Sequence, residues 1–251
     1  MHPILFRFGS FTIYTYGLFM AAAFVAAIFY LSYLIKKSKE KIISQNDLYS
    51  LFIYMMIFGI MGARLLFVLI NLNEFILYPL DILKVWQGGL VYYGGFIAII
   101  IYLYIYAKRK NVILLNLSDF FAPALALGHA IGRIGCFFAG CCYGKESNLP
   151  WAVVFTNEYS LAVIGKSLHP TQLYEAFINF LLFVFLHFYS KKEHKLGMSF
   201  AIYIMSYAVL RFAIEFFRDD YRGMQYFGFS ISQIISVFLF MIGIFVICRK
   251  K

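Results

Sequence analysis

The sequence has 251 residues, of which 63% are apolar and only 14% are charged. A soluble domain is about half apolar and a quarter charged. Because the apolar residues here lie in long unbroken stretches, the composition excludes an ordinary soluble enzyme and predicts a membrane protein. The net charge of +10 does not indicate nucleic-acid binding, since the basic residues lie in short clusters between apolar runs, as topology signals do.

Seven stretches are long and apolar enough to span a bilayer, which requires about 20 such residues. The predicted spans cover about residues 11–35, 48–71, 88–107, 118–137, 171–190, 197–217 and 226–248. We expect an all-α polytopic membrane fold in which residues 1–251 form a single transmembrane domain. The longest stretch between spans, residues 139–170, contains CCYGKESNLPWAVVF, which predicts a small outer lobe with a strand or two.

Clusters of basic residues follow spans one, three, five and seven. They are Lys36, Lys37, Lys39 and Lys41; Lys108, Arg109 and Lys110; Lys191, Lys192 and Lys195; and Arg249, Lys250 and Lys251. Cytoplasmic loops carry the excess of Lys and Arg in membrane proteins. The clusters therefore predict that the N-terminus lies outside and the C-terminus inside.

Three arginines lie inside predicted spans at similar heights. Arg64, Arg133 and Arg211 each follow the predicted cytoplasmic end of their span by 13 to 17 residues, which corresponds to about 20–25 Å of helix. Charged residues inside a membrane are costly and usually mark function. Since an arginine fork can hold phosphate oxygens bidentately, these residues predict a cationic pocket that is open to the outer leaflet.

The end of span six reads LRFAIEFFRDD. Arg211, Glu215 and Arg218 are spaced i, i+4, i+7 and share one helix face. One interpretation is a structural ion pair between Arg211 and Glu215, with the other arginines reaching to the interface. The other is that Glu215 orients an arginine fork toward a bound phosphate.

Two glycine-rich stretches lie at the outer ends of spans three and four. They read WQGGLVYYGGF at 86–96 and GHAIGRIGCFFAGCCYG at 128–144. Glycines at these positions are typical of close helix packing. Because Arg133 lies within the second stretch, its glycines also predict a backbone that can approach whatever Arg133 binds.

Together these residues resemble the prolipoprotein diacylglyceryl transferase family. The resemblance includes YGL at 16–18, GGL…GG at 88–95, GRIGCFFAGCCYG at 132–144, HPTQLYE at 169–175 and RFAIEFFR at 211–218. It implies a seven-helix membrane body with a small periplasmic head, in the bacterial cytoplasmic (inner) membrane. It also implies transfer of the diacylglyceryl group of phosphatidylglycerol to the lipobox cysteine of a prolipoprotein signal peptide, with release of glycerol phosphate and with no cofactor.

The resemblance assigns roles residue by residue. Arg133 is the expected phosphate ligand, Arg211 matches the second essential arginine, and Glu215 matches its acidic partner. The expected catalytic set is Arg133, Arg211, Glu215, Tyr93 and His169, and the expected substrate-binding set is Arg133, Tyr16, Arg64, Gly94, Gly95, Gly144 and Arg218. Glu175 matches the HPTQLYE segment, but its role is left open.

Three positions depart from the family pattern, which commonly has His, Asn and Glu where this chain has Tyr93, Cys136 and Cys141. Tyr93 has an ordinary pKa near 10 and is a poor base unless the arginines lower that pKa. His169, or more weakly His129, is an alternative base. A third possibility is that the arginine field itself favours the acceptor thiolate.

The cysteines of the second glycine-rich stretch also allow several interpretations. Cys136, Cys141 and Cys142 are small residues suited to packing, a Cys136–Cys141 or Cys136–Cys142 disulfide is a second option, and a nucleophilic cysteine is a third. No metal is expected, because the CxxxxCC spacing with one distant His differs from that of zinc sites.

Two further functions compete with the lipoprotein-maturing transferase. The substituted His, Asn and Glu positions allow a diverged paralogue that moves a lipid group to a different acceptor. A lipid-binding or transport protein without chemistry is the other alternative.

Overall fold

A computed structural model of the protein describes residues 1–9, 11–38, 42–219 and 228–249. The chain forms two compact units, one comprising Met1–Leu31 and Ser118–Lys251 and the other Ser32–Leu117. Four basic residues of the predicted topology signals, Lys39, Lys41, Lys250 and Lys251, lie outside the described residues. So do the first two residues of the predicted span 226–248.

The described residues form eight α-helices. They are α1 (Thr15–Lys37), α2 (Gln45–Ile70), α3 (Leu72–Leu77), α4 (Tyr92–Arg109), α5 (Leu114–Ala139), α6 (Thr171–Tyr189), α7 (Met198–Glu215) and α8 (Ile231–Cys248). Two short 3-10 helices cover Pro79–Leu83 and Val85–Gln87. Four short strands complete the described structure: β1 (Ile4–Phe8), β2 (Phe11–Tyr14), β3 (Val153–Val154) and β4 (Ser167–Leu168).

Six of these helices, α1, α2, α5, α6, α7 and α8, are long and apolar enough to cross a membrane. Only 17% to 39% of the residues in their apolar windows are buried within the protein, so most of their side chains are available to lipid. The all-α polytopic fold is confirmed, and the chain is a multi-pass membrane protein. The total of seven spans, the orientation and the single transmembrane domain stay predictions.

The first helix begins later than the predicted span, which started at residue 11. Phe11–Tyr14 instead forms β2, which pairs antiparallel with β1. Gly9 has a φ of 58° in the connection between the strands, a conformation that glycine adopts without steric cost. β2 reads FTIY, so its apolar residues continue the apolar run of α1 and resemble a span in composition.

The core of the larger unit lies between α5, α6 and α7. Small residues of α5 pack there against larger side chains of the other two helices; the buried set is Ala122, Ala126, Leu182, Leu186, Tyr203 and Ile204. Asp119 of α5 accepts hydrogen bonds from the backbone N–H groups of Gly197 (2.6 Å) and Phe200 (2.8 Å). This carboxylate caps the N-terminus of α7 and fixes that end of α7 against α5.

The segment between α5 and α6 contains the antiparallel pair β3 and β4 and is referred to here as the lobe. Phe155, Ala162 and Leu168 form its buried core. Two further bridges join Glu146 to Leu168 and Gly144 to Arg218. The lobe is therefore connected to the residues that follow α7, while its position outside the membrane stays a prediction.

The smaller unit is built around a close contact between α2 and α4. Gly59 and Gly62 of α2 face Gly94 and Gly95 of α4. A methyl group on Gly94 would lie 2.3 Å from the carbonyl oxygen of Gly62, and one on Gly95 would lie 2.6 Å from that of Gly59. The two backbones can approach this closely because both helices have glycine where their backbones meet.

Candidate active site

Five charged side chains form a continuous series of ion pairs in the larger unit. Nη2 of Arg133 lies 2.8 Å from Oε2 of Glu175, and Oε1 of Glu175 lies 3.5 Å from Nη1 of Arg218. Nε of Arg218 lies 3.9 Å from Oε2 of Glu215, which lies 2.7 Å from Nη1 of Arg211. The charges alternate along the series, which begins and ends with an arginine.

The series is almost fully withdrawn from solvent. The side chain of Glu175 is 1% exposed, that of Arg218 3% and that of Arg211 7%. Three guanidinium groups and two carboxylates leave these five residues with one net positive charge when all are ionised. Because an arginine fork can hold phosphate or carboxylate oxygens bidentately, three arginines in one buried cluster are suited to an anionic ligand.

Arg133 and Arg211 lie at the same distance from the point where Asp119 of α5 caps the N-terminus of α7. Arg133 lies 14 residues beyond Asp119 in α5, and Arg211 lies 14 residues beyond Gly197 at the start of α7. Each distance is about 21 Å of helix. Since Asp119 holds the start of α7 against α5, the two arginines reach the same level, and the ion pairs join them there.

One face of α6 is polar and buried. Gln172, Glu175 and Asn179 are spaced i, i+3, i+7 and are each at most 1% exposed. Nε2 of Gln172 donates to the carbonyl oxygen of Cys141 at 2.7 Å, so this face holds the loop after α5 as well as Arg133. The sequence interpretation gave Glu175 no definite role, although its position as the sole charged residue of its predicted span was a usable signal.

The structure thus brings together Arg133, Arg211, Glu215 and Arg218 of the expected site residues. It adds two further residues. Glu175 bridges Arg133 and Arg218, and the hydroxyl of Ser232 in α8 accepts a hydrogen bond from Nη2 of Arg211 at 2.9 Å. The ion pair of the first interpretation, Arg211 with Glu215, is also present. The roles of these residues in binding and catalysis stay predictions.

Two aromatic residues lie close to the arginines. Tyr207 of α7 interacts electrostatically with both Arg133 and Arg211. Tyr16, at the start of α1, interacts with Arg133, and its ring lies 3.5 Å from the position a methyl group on Gly135 would take. The predicted substrate-binding tyrosine therefore contacts the glycine-rich helix end that contains Arg133.

His129, the weaker candidate base, makes its contacts inside the helix bundle. Its Nδ1 lies 2.8 Å from the hydroxyl of Tyr203, and its ring stacks on Tyr207 with 4.9 Å between ring centroids. This arrangement is typical of a residue that holds helices together or relays a proton.

Gly144 lies where three segments meet. Its N–H donates to the carbonyl oxygen of His169 at 3.0 Å, and a methyl group on it would lie 2.6 Å from Cβ of His169 and 2.7 Å from the carbonyl oxygen of Phe217. Only a residue without a side chain fits this contact. Gly144 therefore has a steric role beside Arg218, and its predicted contact with substrate is untested.

His169 is half-buried next to this contact. Its Nδ1 lies 3.2 Å from the hydroxyl of Tyr174, and that hydroxyl accepts a hydrogen bond from Nε1 of Trp151 at 2.8 Å. The ring of His169 lies edge-on to Phe217, with 5.6 Å between centroids. The histidine is held at the edge of the arginine cluster, and its role as base stays a prediction.

Cys136, Cys141 and Cys142 form no disulfide in this structure, and their sulfur atoms all lie within 4.8 Å of one another. Cys142 has a φ of 62°, an uncommon conformation for a residue with a side chain. Hydrogen bonds from the thiols of Cys136 and Cys141, together with the charges of Arg218 and Arg133, lower the pKa of the Cys142 thiol. The three cysteines therefore lie together beside the arginines, while their role stays a prediction.

The remaining predicted site residues, Arg64, Gly94, Gly95 and Tyr93, belong to the smaller unit. Nε of Arg64 donates to the carbonyl oxygen of Ile82, Nη1 to those of Gly88 and Gly89, and Nη2 to that of Asp81. These contacts hold the segment between α2 and α4. The guanidinium group of Arg64 thus binds backbone carbonyl oxygens, whereas the sequence predicted that it binds phosphate.

Gly94, Gly95 and Tyr93 all lie in the first turn of α4. Gly94 and Gly95 pack against α2, as the alternative interpretation of the glycine-rich stretch proposed. Tyr93 is 51% exposed in the first turn of α4, with its ring edge-on to Tyr92. The roles of these three residues in binding or catalysis stay predictions.

Comparison with known proteins decides the family. The family model described as "Prolipoprotein diacylglyceryl transferase" matches residues 3–249. The chain belongs to the prolipoprotein diacylglyceryl transferase family. It is similar to a relative in Clostridium tetani (strain Massachusetts / E88), with 41% identity over 98% of this chain and 96% of the relative. A relative in Bordetella avium (strain 197N) is 34% identical over 99% of this chain and 95% of its own length.

A third relative, in Rickettsia felis (strain ATCC VR-1525 / URRWXCal2), is 32% identical over all of this chain and 97% of its own length. All three relatives are named phosphatidylglycerol–prolipoprotein diacylglyceryl transferase. Membership of the prolipoprotein diacylglyceryl transferase family agrees with the resemblance drawn from the five motifs. The shared name of these relatives favours the transferase over the diverged paralogue and over the lipid-binding or transport protein.

Proposed function

We propose that this chain transfers the diacylglyceryl group of phosphatidylglycerol to a cysteine thiol of a prolipoprotein, the first step of lipoprotein lipidation. Membership of the family over nearly the whole chain supports this activity. The observation that carries the assignment to particular residues is the buried series of ion pairs from Arg133 to Arg211.

The reaction exchanges one bond for another. The thiol sulfur attacks the glyceryl carbon that is bound to phosphate, a C–S bond forms, and the C–O bond to the phosphate breaks. Glycerol phosphate leaves with the bonding electrons, and the thiol proton is lost to a base or to the leaving phosphate. Negative charge therefore increases on phosphate oxygens as the bond breaks, and this is the charge that an enzyme must stabilise.

Arg133, Arg211 and Arg218 are suited to that task. Their guanidinium groups are fixed by Glu175 and Glu215 before substrate binds, so little reorganisation is needed as charge develops. Nη1 of Arg211 is buried and has no well-aligned hydrogen bond among the described residues, although it pairs with Glu215. A phosphate oxygen would provide that partner.

The acceptor thiol must also lose its proton, since the thiolate is the nucleophile and an unperturbed cysteine has a pKa of about 8.5. Tyr93 and His169 are the candidate bases. The third route, in which the arginine field favours the thiolate, requires no side-chain base. The three arginines of the cluster support this third route, because nearby positive charges favour the thiolate over the thiol.

The substrates and location follow from the same proposal. The donor is phosphatidylglycerol from the surrounding bilayer, and the acceptor is the lipobox cysteine of a prolipoprotein signal peptide. The enzyme lies in the bacterial cytoplasmic (inner) membrane. The basic clusters after the odd-numbered spans support an outer position for the arginine cluster, on the side to which precursors are exported.

Purified protein incubated with phosphatidylglycerol labelled in its acyl chains and with a lipobox peptide tests the proposal. We expect label on the cysteine of the peptide and release of glycerol phosphate. Arg133→Ala should abolish transfer, because it removes the first arginine of the series. Arg109→Ala, which removes an exposed arginine at the end of α4, is the matched control and should transfer at the normal rate.

Two results would contradict the proposal. Release of glycerol phosphate without labelled peptide would indicate a different acceptor, and neither product would indicate binding without chemistry. Full activity of Arg133→Ala would remove Arg133 from the mechanism. Rescue of a bacterium depleted of its own transferase provides the corresponding test in cells.

A further inference from the structure

The end of α5 brings three thiols together in a way that the CxxxxCC spacing alone does not predict. A continuous helix would turn Cys136 and Cys141 about 140° apart. Instead α5 ends at Ala139, and Gly140 and Cys142 both adopt positive φ, 78° and 62°. This reversal places the sulfur atoms of Cys136, Cys141 and Cys142 within 4.8 Å of one another.

The loop that carries these thiols is held by buried side chains. The hydroxyl of Thr171 donates to the carbonyl oxygen of Cys142 at 2.7 Å, and the amide of Gln172 donates to that of Cys141 at 2.7 Å. Both donor residues are fully buried. A methyl group on Gly140 would also collide with Oγ of Ser160 at 2.1 Å, so the turn is fixed from both sides and the thiols are prearranged.

We propose that Cys136, Cys141 and Cys142 form a three-sulfur binding site for a soft metal ion of the Cu(I) type. Sulfur atoms arranged trigonally at about 2.3 Å from a central ion lie about 4 Å from one another. The three thiols therefore need to approach by less than about 1 Å to reach that geometry. Thiolate ligands select soft ions over Mg²⁺, Ca²⁺ or Mn²⁺.

The ligand set and its charge favour Cu(I) over Zn²⁺. Zinc in proteins is almost always four-coordinate, and no His, Asp or Glu among the described residues joins this group of thiols. A monovalent ion bound by three thiolates carries two net negative charges. Arg133 and Arg218 interact electrostatically with Cys142, so they compensate part of that charge.

No step of the proposed transfer reaction uses these thiols, but Arg133 and Arg218 take part in both proposals. The two sites are therefore adjacent: Cys136 follows Arg133 by three residues, and Cys142 precedes Gly144 by two. A metal bound there would hold the end of α5 and the following loop together.

Titration of the reduced, full-length protein with Cu(I) in detergent, without oxygen and against the chromogenic chelator bicinchoninate, tests the site. We expect the wild type to withhold one equivalent of Cu(I) per chain. Cys141→Ser and Cys142→Ser should weaken retention at least about 100-fold, since each removes one of three ligands. Cys248→Ser is the matched control, because Cys248 is exposed at the end of α8, and it should retain copper as the wild type does.

A measurement on the wild type alone avoids any dependence on how the variants fold. N-ethylmaleimide labelling followed by mass spectrometry should show Cu(I) protecting Cys136, Cys141 and Cys142, whereas Cys248 reacts with or without the ion. Equal labelling of the three cysteines in both conditions would overturn the proposal. So would release of copper to the chelator by the wild type as readily as by Cys142→Ser, or a disulfide joining two of the three cysteines in metal-free protein isolated from membranes.

Discussion

Glu175 contacts two of the three arginines, so it is the residue on which the geometry of the cluster depends most directly. Its two carboxylate oxygens face Arg133 and Arg218, and its side chain is 1% exposed. Arg218 also lies 3.9 Å from Glu215, whereas the ion pair of Arg133 is with Glu175. The position of Arg133 therefore depends on a charge contributed by a different helix.

Replacement of Glu175 by Gln should lower transfer activity strongly. The amide keeps the size of the side chain but removes the charge, which leaves three buried guanidinium groups with one carboxylate. Breaking a buried ion pair costs about 3–5 kcal/mol, and a displaced catalytic group reduces the rate about 100-fold. The turnover number with labelled phosphatidylglycerol and the unfolding temperature should both fall.

The matched control for this variant is Glu146→Gln, which changes the same functional group in an exposed ion pair with Lys166. Exposed pairs contribute little to stability, so this variant should behave as the wild type does. A Glu175→Gln enzyme with a normal turnover number would show that the bridge between Arg133 and Arg218 is dispensable.

Arg64 illustrates how a charge inside a predicted span can serve structure. Lysine at this position would keep the positive charge but would lose the fork that reaches four carbonyl oxygens. We expect Arg64→Lys to lower the free energy of unfolding by about 2 kcal/mol or more. Because the guanidinium of Arg64 is engaged with four backbone carbonyl oxygens, the KM for phosphatidylglycerol of the folded fraction should stay unchanged.

Thermal unfolding and steady-state kinetics of Arg64→Lys separate the two roles, with Arg109→Lys as the exposed control. A stable Arg64→Lys enzyme with a raised KM would instead support the phosphate contact that the sequence predicted.

At the scale of the elements, the pair formed by α2 and α4 depends on glycine. Gly94→Ala would place a methyl group 2.3 Å from the carbonyl oxygen of Gly62, so the helices would have to separate. Overpacking of this kind costs about 1–3 kcal/mol. We expect a lower unfolding temperature in detergent.

Gly128→Ala is the control for this prediction. Gly128 lies within α5 and has no atom within 4 Å of the position of an added methyl group. Since alanine is the better helix former, this variant should unfold at the same or a slightly higher temperature. Equal stability of Gly94→Ala and the wild type would mean that the helices can move apart at little cost.

The elements also show what sequence can and cannot predict. Helices α2, α5, α6 and α7 lie within a few residues of predicted spans, because an apolar run of about 20 residues has few alternatives in lipid. The β1–β2 hairpin was not predicted, since its aromatic residues continue the apolar run of α1. The 3-10 helices before α4 were missed for a different reason, because they carry no periodic apolar pattern.

Part of the candidate site could be predicted from the sequence. Arg133 and Arg211 were chosen as site residues because charges inside apolar spans are rare, and their similar heights were estimated from the rise of an α-helix. The link through Glu175 was not predicted, because the rotation of α6 relative to α5 and α7 depends on packing. The clustering of Cys136, Cys141 and Cys142 was missed because it depends on two residues with positive φ after the helix end.

For the whole molecule, the decisive property is the number of membrane crossings. Six helices are long and apolar enough to be spans. Helix α4 corresponds to the third predicted span, 88–107, and is the one predicted crossing that is not among these six. It has 18 residues, which rise about 27 Å and nearly match a hydrocarbon core of about 30 Å. Its first turn contains four of the residues at the centre of the glycine-rich motif, Tyr92, Tyr93, Gly94 and Gly95.

Charge distribution distinguishes seven crossings from six. If α4 crosses, the basic clusters that follow α1, α4, α6 and α8 all lie on one side. If α4 does not cross, the clusters after α4, α6 and α8 lie opposite the cluster after α1. The first arrangement agrees with the excess of Lys and Arg in cytoplasmic loops, so we predict that α4 spans the membrane.

Epitope tags inserted into the full chain test this prediction in spheroplasts probed with antibody before and after permeabilisation. A tag after Leu77 should be accessible from outside, and a tag after Lys110 only after permeabilisation, because α4 separates them. Tags after Ser38 and after Leu77 form the control pair, since they flank α2. Tags after Leu77 and Lys110 that report the same side would contradict a crossing by α4 and, with it, the inside position of the C-terminus.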